Sequence, residues 1–520
     1  MSRTDRTRNR NVMKKLLYIL FHRSVLVGLA LLAQIVVLIL MVVSFSEHAV
    51  GMYWFFIFLS VAASLAIICS RMEPGYKIAW LLLILPFPVL GGVFYLLVGG
   101  GSVPRRTKKR MQWMIQKTEQ VLREDFKADD LLPLGGDAAG QATYLEQRAH
   151  CPAYTNTETE YFPLGDKAFP RMLEELEKAE KYIFLEYFIL QPGVFWDSIL
   201  AILERKAAQG VEVRVIYDDM GCMFTLPRDY NETLSKKGIQ CRAFNRFLPV
   251  MSLRLNNRDH RKFLIIDGKV GFTGGINLAD EYINVKERFG HWKDSALLLE
   301  GDAVWSMTVM FLTMWDHVAG WDEDFEFFRP APAQVRPWTG YVQPYTDTPL
   351  DREAVGQAVY LNMITKAKKY IYITTPYLVT DVATNTALCN AAKSGVDVRI
   401  ITPHIPDKKT VFEVTRAHYD ELIEAGVKIY EYTPGFIHSK NFVVDDCYAT
   451  VGTVNMDYRS MFLHFENGVL LYGTPTVHHI RDDFLSTQDK SVAVTLEQCK
   501  SVPYYRRLGR EILQVFAPLL

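Results

Sequence analysis

Two short stretches of the chain carry the same reactive side chains at the same spacing. Both follow the pattern His-x-Lys-x4-Asp-x6-Gly-x-x-Asn. The first copy consists of His260, Lys262, Asp267, Gly274 and Asn277, and the second of His438, Lys440, Asp445, Gly452 and Asn455. Unrelated surface histidines and lysines are not expected to agree at five positions in two copies. We therefore expect the two stretches to work together in one site.

The residue types in these motifs suit a phosphate group. Lysine supplies a compact positive charge and asparagine an amide donor, so two copies would surround the nonbridging oxygens of one phosphodiester. One histidine would attack phosphorus and form a phosphohistidine, while the other would carry a proton to and from the alcohol. Histidine suits both tasks because it titrates near neutral pH. The symmetry of the motifs does not decide whether His260 or His438 is the nucleophile.

Four carboxylates near the motifs are candidate partners of the histidines. Asp294 and Glu466 follow the motif asparagines by 17 and 11 residues, and they are candidates for orienting the imidazoles. They are equally consistent with ordinary carboxylates at a strand edge. Asp267 and Asp445 belong to the motifs and stand among the candidate catalytic residues, although their position in turns favours a structural role.

The motifs need rigid elements to hold them, and the flanking sequence predicts a hairpin. In the first copy, residues 262–266 form an apolar strand, Asp267-Gly268 is a favoured two-residue turn, and 269–273 form the return strand. Side chains two residues apart lie on the same face of a strand. The histidine and lysine of a motif are therefore expected on one face.

The chain after the first hundred residues is an internal duplication. Residues 179–188 resemble 367–376, and 210–216 resemble 395–401, in the same order within each copy. A period of roughly 180 residues indicates duplicated domains rather than a solenoid. Apolar β-branched runs alternate with helical patterns, so the fold class is α/β, with each copy forming an α/β sandwich.

The two copies divide the chain into a first half, 104–335, and a second half, 336–520. A proline-rich stretch with little periodicity separates them. Each half is predicted to be one domain that ends in a motif hairpin. The site is therefore expected on the seam between the halves.

Residues 1–103 are predicted to anchor the chain in a membrane. Uncharged apolar runs at 25–45 and 52–70 are long enough to cross a bilayer as N-terminal transmembrane helices, and the arginine-rich start before them favours a cytoplasmic N-terminus. A third apolar segment, 78–98, contains two prolines and two glycines in its middle and precedes the basic run 105–110. These features favour a re-entrant hairpin over a third span.

Composition narrows the class of partner. The chain has 520 residues and a formal net charge of zero, which gives no support for nucleic-acid binding. Its seven cysteines show no CxxC or other metal-ligand spacing, so neither a zinc site nor a disulfide framework is expected. No cofactor or metal ion is expected.

The motifs resemble those of the phospholipase D superfamily and, within it, of the bacterial cardiolipin synthase family. Further similar segments are Asn257-Arg-Asp-His-Arg-Lys262, Tyr430-Glu-Tyr-Thr-Pro-Gly-Phe-Ile-His-Ser-Lys440 and Gly452-Thr-Val-Asn-Met-Asp-Tyr-Arg-Ser460. Gly275 and His464 depart from the pattern that is usual there. In this family the histidine of the first motif usually has the nucleophile role, which corresponds to His260.

The resemblance implies transfer of a phosphatidyl group from one phosphatidylglycerol to another, without a metal, to give cardiolipin and glycerol. It also implies a multi-pass protein of the bacterial inner membrane whose catalytic domains face the cytoplasm. Two rivals share the same residues: a hydrolytic phospholipase D, and a phosphatidyltransferase that uses another headgroup. A membrane-bound nuclease is disfavoured by the charge balance, and a non-catalytic scaffold by the completeness of both motifs.

Overall fold

A computed structural model describes residues 50–70, 72–85, 105–123, 136–246, 257–332, 340–351 and 353–519, together with isolated positions before residue 44 and at Tyr95. The predicted span at 25–45 falls almost entirely outside these ranges. The expected boundary near residue 335 also falls outside them. Both stay predictions.

Four helices precede the first sheet in the described part of the chain: α1 (Val50–Cys69), α2 (Pro74–Ile84), α3 (Arg105–Leu122) and α4 (Gly136–Ala149). The first half continues with β1 (Thr157–Phe162), α5 (Gly165–Glu177), β2 (Tyr182–Tyr187), α6 (Val194–Ala208), β3 (Glu212–Asp218), α7 (Tyr230–Ser235) and β4 (Gln240–Phe244). It ends with β5 (Arg258–Asp259), β6 (Lys262–Ile266), β7 (Val270–Gly274), β8 (His291–Lys293), β9 (Ala296–Gly301) and α8 (Val304–Ala319). Short 3-10 turns lie at Asp280–Ile283 and Phe325–Phe328.

The second half repeats this alternation. It begins with β10 (Tyr341–Asp347), α9 (Val355–Lys366), β11 (Tyr370–Thr374), α10 (Val382–Lys393), β12 (Asp397–Pro403), α11 (Lys409–Ala417), α12 (Tyr419–Glu424) and β13 (Lys428–Tyr432). It continues with β14 (Gly435–Ile437), β15 (Asn441–Val444), β16 (Tyr448–Gly452), α13 (Tyr458–Phe462), β17 (His464–Tyr472), α14 (Thr476–Gln488) and β18 (Ser491–Ala493). It closes with α15 (Leu496–Lys500), α16 (Tyr504–Val515) and a 3-10 turn at Ala517–Leu519.

The strand order of the two sheets shows the duplication. The first sheet has the order β1-β9-β7-β6-β2-β3-β4, and the second has the order β10-β17-β16-β15-β11-β12-β13-β18. The first seven strands correspond one to one, and in both sheets parallel and antiparallel pairs are mixed. Two tandem α/β units were predicted, and the fold has them.

Each motif hairpin forms as its sequence predicts. In the first half β6 and β7 are antiparallel, and Asp267 and Gly268 between them have φ values of 52° and 65°. In the second half Asp445 and Asp446 have φ values of 53° and 58° between β15 and β16. A tight hairpin turn requires two positive φ angles, and aspartate and glycine accept them at low cost.

Two short parallel pairings join the halves at the motifs. β5, which leads into the first motif, pairs with β17 of the second half. β14, which leads into the second motif, pairs with β8 of the first half. Each motif histidine therefore enters the site beside a strand of the opposite half.

A shared apolar core fixes the two halves against each other. One cluster of buried side chains contains Phe184 and Trp315 of the first half together with Tyr360 and Phe442 of the second. Such burial stabilises by roughly 25 cal/mol per Å² of apolar surface removed from water. The seam is thus held by a continuous interior as well as by backbone hydrogen bonds.

The N-terminal helices pack beside the second half. Tyr76 of α2 lies edge-on to Tyr458 and Phe462 of α13, with ring centroids 6.0 and 6.4 Å away. The predicted span at 52–70 corresponds to α1, and the segment at 78–98 begins within α2. Within the described residues, no helix meets the length and apolarity that crossing a membrane requires. The two spans and the re-entrant hairpin stay predictions.

Candidate active site

Backbone hydrogen bonds across the seam set the position of both motif histidines. The amide N–H of His260 donates to the carbonyl of Phe465 at 2.9 Å, and that of His438 donates to the carbonyl of Lys293 at 2.7 Å. The residues that follow those carbonyls are Glu466 and Asp294. The same pairing thus brings a carboxylate of one half next to a histidine of the other.

The two histidine–carboxylate pairs are exchanged between the halves. Nδ1 of His260 lies 2.9 and 3.0 Å from the carboxylate oxygens of Glu466. Nδ1 of His438 lies 2.6 Å from Oδ2 of Asp294. We assign the Nδ1 proton to both imidazoles, because Nδ1–H then donates to the carboxylate and leaves the lone pair on Nε2.

The residue after each motif glycine contacts the carboxylate of its own half. Gly275 lies so close to Asp294 that a Cβ there would overlap the Oδ1 atom. At the equivalent position of the second half, the hydroxyl of Thr453 donates to Glu466. Both carboxylates are fully buried, so these contacts help to hold them in place beside the histidines.

The two motif lysines lie beneath the histidines. Lys262 Nζ donates to the carbonyl of His260 at 2.5 Å, and Lys440 Nζ donates to the carbonyl of His438. Burial lowers the pKa of Lys262 to about 7 and that of Lys440 to about 8, against the opposing effect of the two carboxylates. A bound phosphodiester would restore the charge of these ammonium groups, because an anion stabilises the protonated form.

Both histidines are held neutral. Burial, followed by the charge of Lys262, lowers the pKa of His260 well below its usual value. Burial and then the charge of Lys440 lower the pKa of His438 to about 4, although Asp294 opposes the shift. A neutral imidazole is the form that attacks phosphorus, so the free site is set for a nucleophile at neutral pH.

The motif asparagines line the same cavity as the histidines. The side-chain oxygen of Asn277 accepts from the amide of Ile189 at 3.1 Å, and its amide donates to the Tyr282 hydroxyl at 2.7 Å. The amide of Asn455 donates to Ser460 at 3.1 Å. Both side chains are therefore oriented before any ligand binds.

The motif aspartates lie away from the reactive atoms. Asp267 accepts three backbone N–H groups, those of Glu180, Lys181 and Tyr182, at 2.7 to 2.9 Å. Asp445 accepts the corresponding three of residues 368–370 at 2.7 to 2.8 Å. The five-residue strand β6 lies between His260 and Asp267 and is about 16 Å long at the usual rise per residue. The sequence pattern placed these carboxylates among the candidate catalytic residues, but their contacts join the hairpin to the neighbouring strand.

Two further residues support the loop before the first histidine, and sequence reasoning did not select them for this role. Asp218, at the end of β3, accepts the amide of Asp259 at 3.0 Å and lies 3.3 Å from the guanidinium of Arg258. Burial raises the pKa of Asp218 to about 6. The sequence shows an acidic pair, Asp218-Asp219, at the end of a buried strand. That pattern does not specify that Asp218 contacts Arg258, which is 40 residues away.

His464 is a third histidine at the site. Its ring centroid lies 5.6 Å from that of His260, and its Nδ1 lies 3.4 Å from Glu466. Among the described residues, donor atoms of these three side chains lie within 4.8 Å of one another, as metal ligands would. The charges of Lys262 and Lys440, which already lower the pKa of His260, oppose a cation there. The residues therefore fit an anion better than a metal.

A cavity of about 780 Å³ opens above the two histidines. Its wall combines aromatic and aliphatic side chains with both basic and acidic ones; the charged members are Arg258, Arg288, Asp407, Lys408, Asp457 and Arg459. Basic groups around an apolar cavity suit an amphiphilic anion. The volume is within the range of sites that bind small molecules.

Family comparison matches both halves of the chain. Residues 172–295 and 360–487 match the family described as "Cardiolipin synthase, PLD-like domain". Residues 54–100 match the family described as "Phospholipase_D-nuclease N-terminal". Each motif lies wholly within a matched segment, and the N-terminal match covers α2 and most of α1.

Several curated proteins are similar over most of their length. A protein of Streptococcus mutans described as uncharacterized is 44% identical over 88% of this chain and 100% of its own. A protein named cardiolipin synthase from Geobacillus kaustophilus is 36% identical over 88% of this chain and 91% of its own. Another of that name, from Halalkalibacterium halodurans, is 34% identical over 88% of this chain and 92% of its own.

One solved structure shares the fold. The phosphatidylserine synthase of Haemophilus influenzae superposes with a TM-score of 0.55, covering 73% of this chain and 98% of that chain. Its sequence identity is 15%, so the likeness bears on the fold alone.

Proposed function

The chain belongs to the phospholipase D-like cardiolipin synthase family, and we propose that it joins two phosphatidylglycerol molecules into cardiolipin with release of glycerol. The observation that carries this proposal is the pair of buried histidines above two buried lysines, each histidine hydrogen-bonded to a carboxylate of the opposite half. Such a pair of imidazoles divides a phosphoryl transfer into two displacements.

In the first displacement, Nε2 of His260 attacks phosphorus and the bond from phosphorus to the headgroup glycerol breaks. His438 gives its Nε2 proton to the departing alkoxide, and free glycerol leaves. In the substrate complex the imidazolium of His438 is stabilised by Asp294 and by the phosphodiester anion. The phosphatidyl group is then bound covalently to His260.

In the second displacement, a hydroxyl of another phosphatidylglycerol attacks the phosphohistidine. His438 accepts the proton of that hydroxyl, the bond from nitrogen to phosphorus breaks, and cardiolipin forms. His260 is free again and His438 is protonated, as at the start. Lys262, Lys440, Asn277 and Asn455 bind the nonbridging oxygens throughout.

The nucleophile is assigned to His260 on a difference between the two imidazoles. His438 makes the shorter contact with its carboxylate, 2.6 Å against 2.9 Å, and a charge-assisted bond of that length favours an imidazolium. The carboxylate of Glu466 is shared by His260, Thr453 and His464. His260 therefore has the weaker support for a positive charge, and His438 the stronger.

We further propose that the first hundred residues anchor the enzyme in the cell membrane as a multi-pass segment and that the catalytic halves face the cytoplasm. The apolar runs at 25–45 and 52–70 and the arginine-rich N-terminus support this topology. The domain limits 104–335 and 336–520 are part of the same proposal. Alkaline extraction of membranes that contain the chain, with and without residues 1–103, tests the anchor.

The reaction is tested with the purified full chain in vesicles that contain phosphatidylglycerol, with and without phosphatidylethanolamine. Mass spectrometry should detect cardiolipin and glycerol in equal amounts in both. His260→Asn and His438→Asn should abolish turnover, and the surface variant His478→Asn is the matched control.

Each alternative has its own product. Phosphatidic acid in place of cardiolipin would indicate hydrolysis, and a requirement for phosphatidylethanolamine would indicate another donor or acceptor. Retained turnover in both single histidine variants would exclude the proposed mechanism.

A further inference from the structure

The C-terminal helix α16 has the opposite polarity to an ordinary surface helix. A helix that packs on its own domain normally turns its apolar side chains inward and its charged ones outward. In α16 the buried Arg510 and the half-exposed Arg506 bind an acidic side chain of the domain, whereas most of the large apolar side chains lie in solvent.

Two ion pairs and one apolar contact hold the inner face of α16 on the domain. Arg506 and Arg510 both pair with Glu413 of α11, and Arg510 Nε lies 2.7 Å from its carboxylate. About one turn further along the same side, Leu513 packs against the cluster that contains Val414. Arg510 is only 8% exposed, so the orientation of the helix on the domain is fixed.

The outer face is a broad apolar stripe, which we call the α16 stripe. It consists of Tyr504, Tyr505, Leu508, Ile512 and Val515, which are 80%, 77%, 47%, 51% and 39% exposed. At 100° per residue these side chains fall within an arc of about 100°. Arg507, which is also exposed, lies beside the stripe.

The helix that carries the α16 stripe is in contact with the N-terminal region. The 3-10 turn that follows α16 contacts α2, where Leu519 packs with Trp80 and Ile84. On α2, Ile78 and Leu82 are again exposed, by 54% and 45%. The helix that carries the stripe is thus in contact with the segment that the proposed function places at the membrane.

The catalytic cavity lies directly behind this helix. Val414 and Ala517, which pack against Leu513, also line the cavity above the histidines. A surface that borders both the N-terminal helices and the cavity is suited to a lipid bilayer. An exposed apolar stripe with Arg507 beside it has features of a helix that lies in a membrane interface.

We propose that the α16 stripe is a membrane-contact surface, which seats the second half on the lipid bilayer beside the entrance of the catalytic cavity. The proposal rests on the proposed function in one respect, because the N-terminal region must bring the chain to the bilayer. The occupant of the stripe is lipid, rather than a second copy of the chain or one of its N-terminal apolar segments.

The proposal is tested by nitroxide labelling of the full chain in bilayer nanodiscs of phosphatidylcholine and phosphatidylglycerol. Cys69, Cys447 and Cys499, which are exposed or half-exposed, are first replaced by serine. Labels are placed at Leu508→Cys and Ile512→Cys, and at the exposed Ala201→Cys of α6 as a control. Collision with oxygen, which concentrates in lipid, is compared with collision with a water-soluble nickel chelate.

Labels on the stripe should collide more with oxygen than with the chelate, and the control label should show the reverse. Equal access of the chelate to all three labels would overturn the proposal. Shielding of the stripe labels from both reagents would also overturn it, and spin–spin broadening would then assign the stripe to a second copy. None of these readouts depends on turnover, so they are independent of the reaction assignment.

A kinetic comparison needs no cysteine replacement. Leu508→Gln with Ile512→Gln should raise the KM for phosphatidylglycerol, measured as surface concentration in mixed micelles, about tenfold at unchanged kcat. Glu511→Gln, an exposed neighbour on the same helix, is the matched control. An unchanged KM in a folded double variant would contradict lipid contact.

Discussion

His260 and Glu466 are 206 positions apart, in opposite halves of the chain, and their side chains meet at 2.9 Å. In the reciprocal pair, His438 of the second half meets Asp294 of the first half at 2.6 Å. Neither motif histidine therefore finds its carboxylate partner within its own half. The site is complete only when the two sheets are joined at the seam.

The exchanged carboxylates should be required for catalysis without being required for folding. We expect Glu466→Gln and Asp294→Asn to lower kcat by about 10²- to 10⁴-fold, because each amide keeps the shape but no longer fixes the imidazole tautomer. Steady-state kinetics and thermal melting of the purified variants check this. If either variant keeps more than half of the wild-type kcat, that carboxylate does not orient a histidine.

Gly275, which touches Asp294, and Thr453, which donates to Glu466, should respond differently to substitution. Gly275→Ala would push a methyl group into Asp294, so kcat should fall through displacement of the partner of His438. Thr453→Val removes the hydroxyl that donates to Glu466, whereas Thr453→Ser keeps it. We expect Thr453→Val to lower kcat about tenfold or more and Thr453→Ser to be nearly silent. Equal activities of the two Thr453 variants would exclude the hydrogen bond as the cause.

Asp267 should matter for stability and little for chemistry. Asp267→Ala leaves three backbone N–H groups without an acceptor, one of them that of the buried Tyr182, and should cost roughly 3 kcal/mol or more of unfolding free energy. Asp445→Ala should cost less, because Asp445 and its partner Tyr370 are half-buried, whereas Asp267 and Tyr182 are buried. Melting temperatures and kcat of the folded fraction separate the two effects. If these variants lose kcat without a lower melting temperature, the aspartates act in catalysis rather than in stability.

The pH dependence of kcat/KM should report the titration of the two buried lysines, Lys262 and Lys440. Their pKa values in the free protein, about 7 and about 8, mean that Lys262 and Lys440 lose their charge as the pH rises. Substrate binding requires that charge, so kcat/KM should fall above pH about 7, and more steeply above pH about 8, while kcat stays level because the bound anion raises both pKa values. A kcat/KM that is flat to pH 10 would contradict a phosphate-binding role.

The same shift has a consequence for stability with a defined sign. The folded pKa of each lysine lies below that of an unfolded lysine, about 10.4. Between about pH 7 and pH 10 the unfolded chain therefore binds more protons, and stability should rise with pH across this window. In Lys262→Met this rise should be smaller, which thermal melts over the same pH range would reveal.

The duplication and the motif hairpins could be predicted from the sequence, but not how the halves exchange partners. His-Lys spacing, the hairpin turn and the matching segments determine local structure, which is why the motif hairpins were predicted correctly. The pairing of His260 with Glu466 depends on β5 lying beside β17, a contact between distant segments that no local pattern specifies.

The unequal offsets of the two carboxylates also have a structural cause. In the second half, a short helix leads directly into β17, which carries Glu466. In the first half, a 3-10 turn and the separate strand β8 come between Asn277 and Asp294. This longer segment places Tyr282 against His438, with ring centroids 5.7 Å apart. The two halves are therefore similar in their motifs but differ in the segments that follow them and line the cavity.

The central claim, that His260 carries the phosphatidyl group, is tested most directly by trapping. In His438→Asn, the proposed proton carrier is absent, but phosphatidyl-p-nitrophenol has a leaving group that needs no proton. Rapid mixing should give a burst of nitrophenolate equal to the enzyme, and alkaline quenching with peptide mass spectrometry should place the adduct on His260. An adduct on another residue, or a burst that persists when His260 is also replaced, would contradict the account.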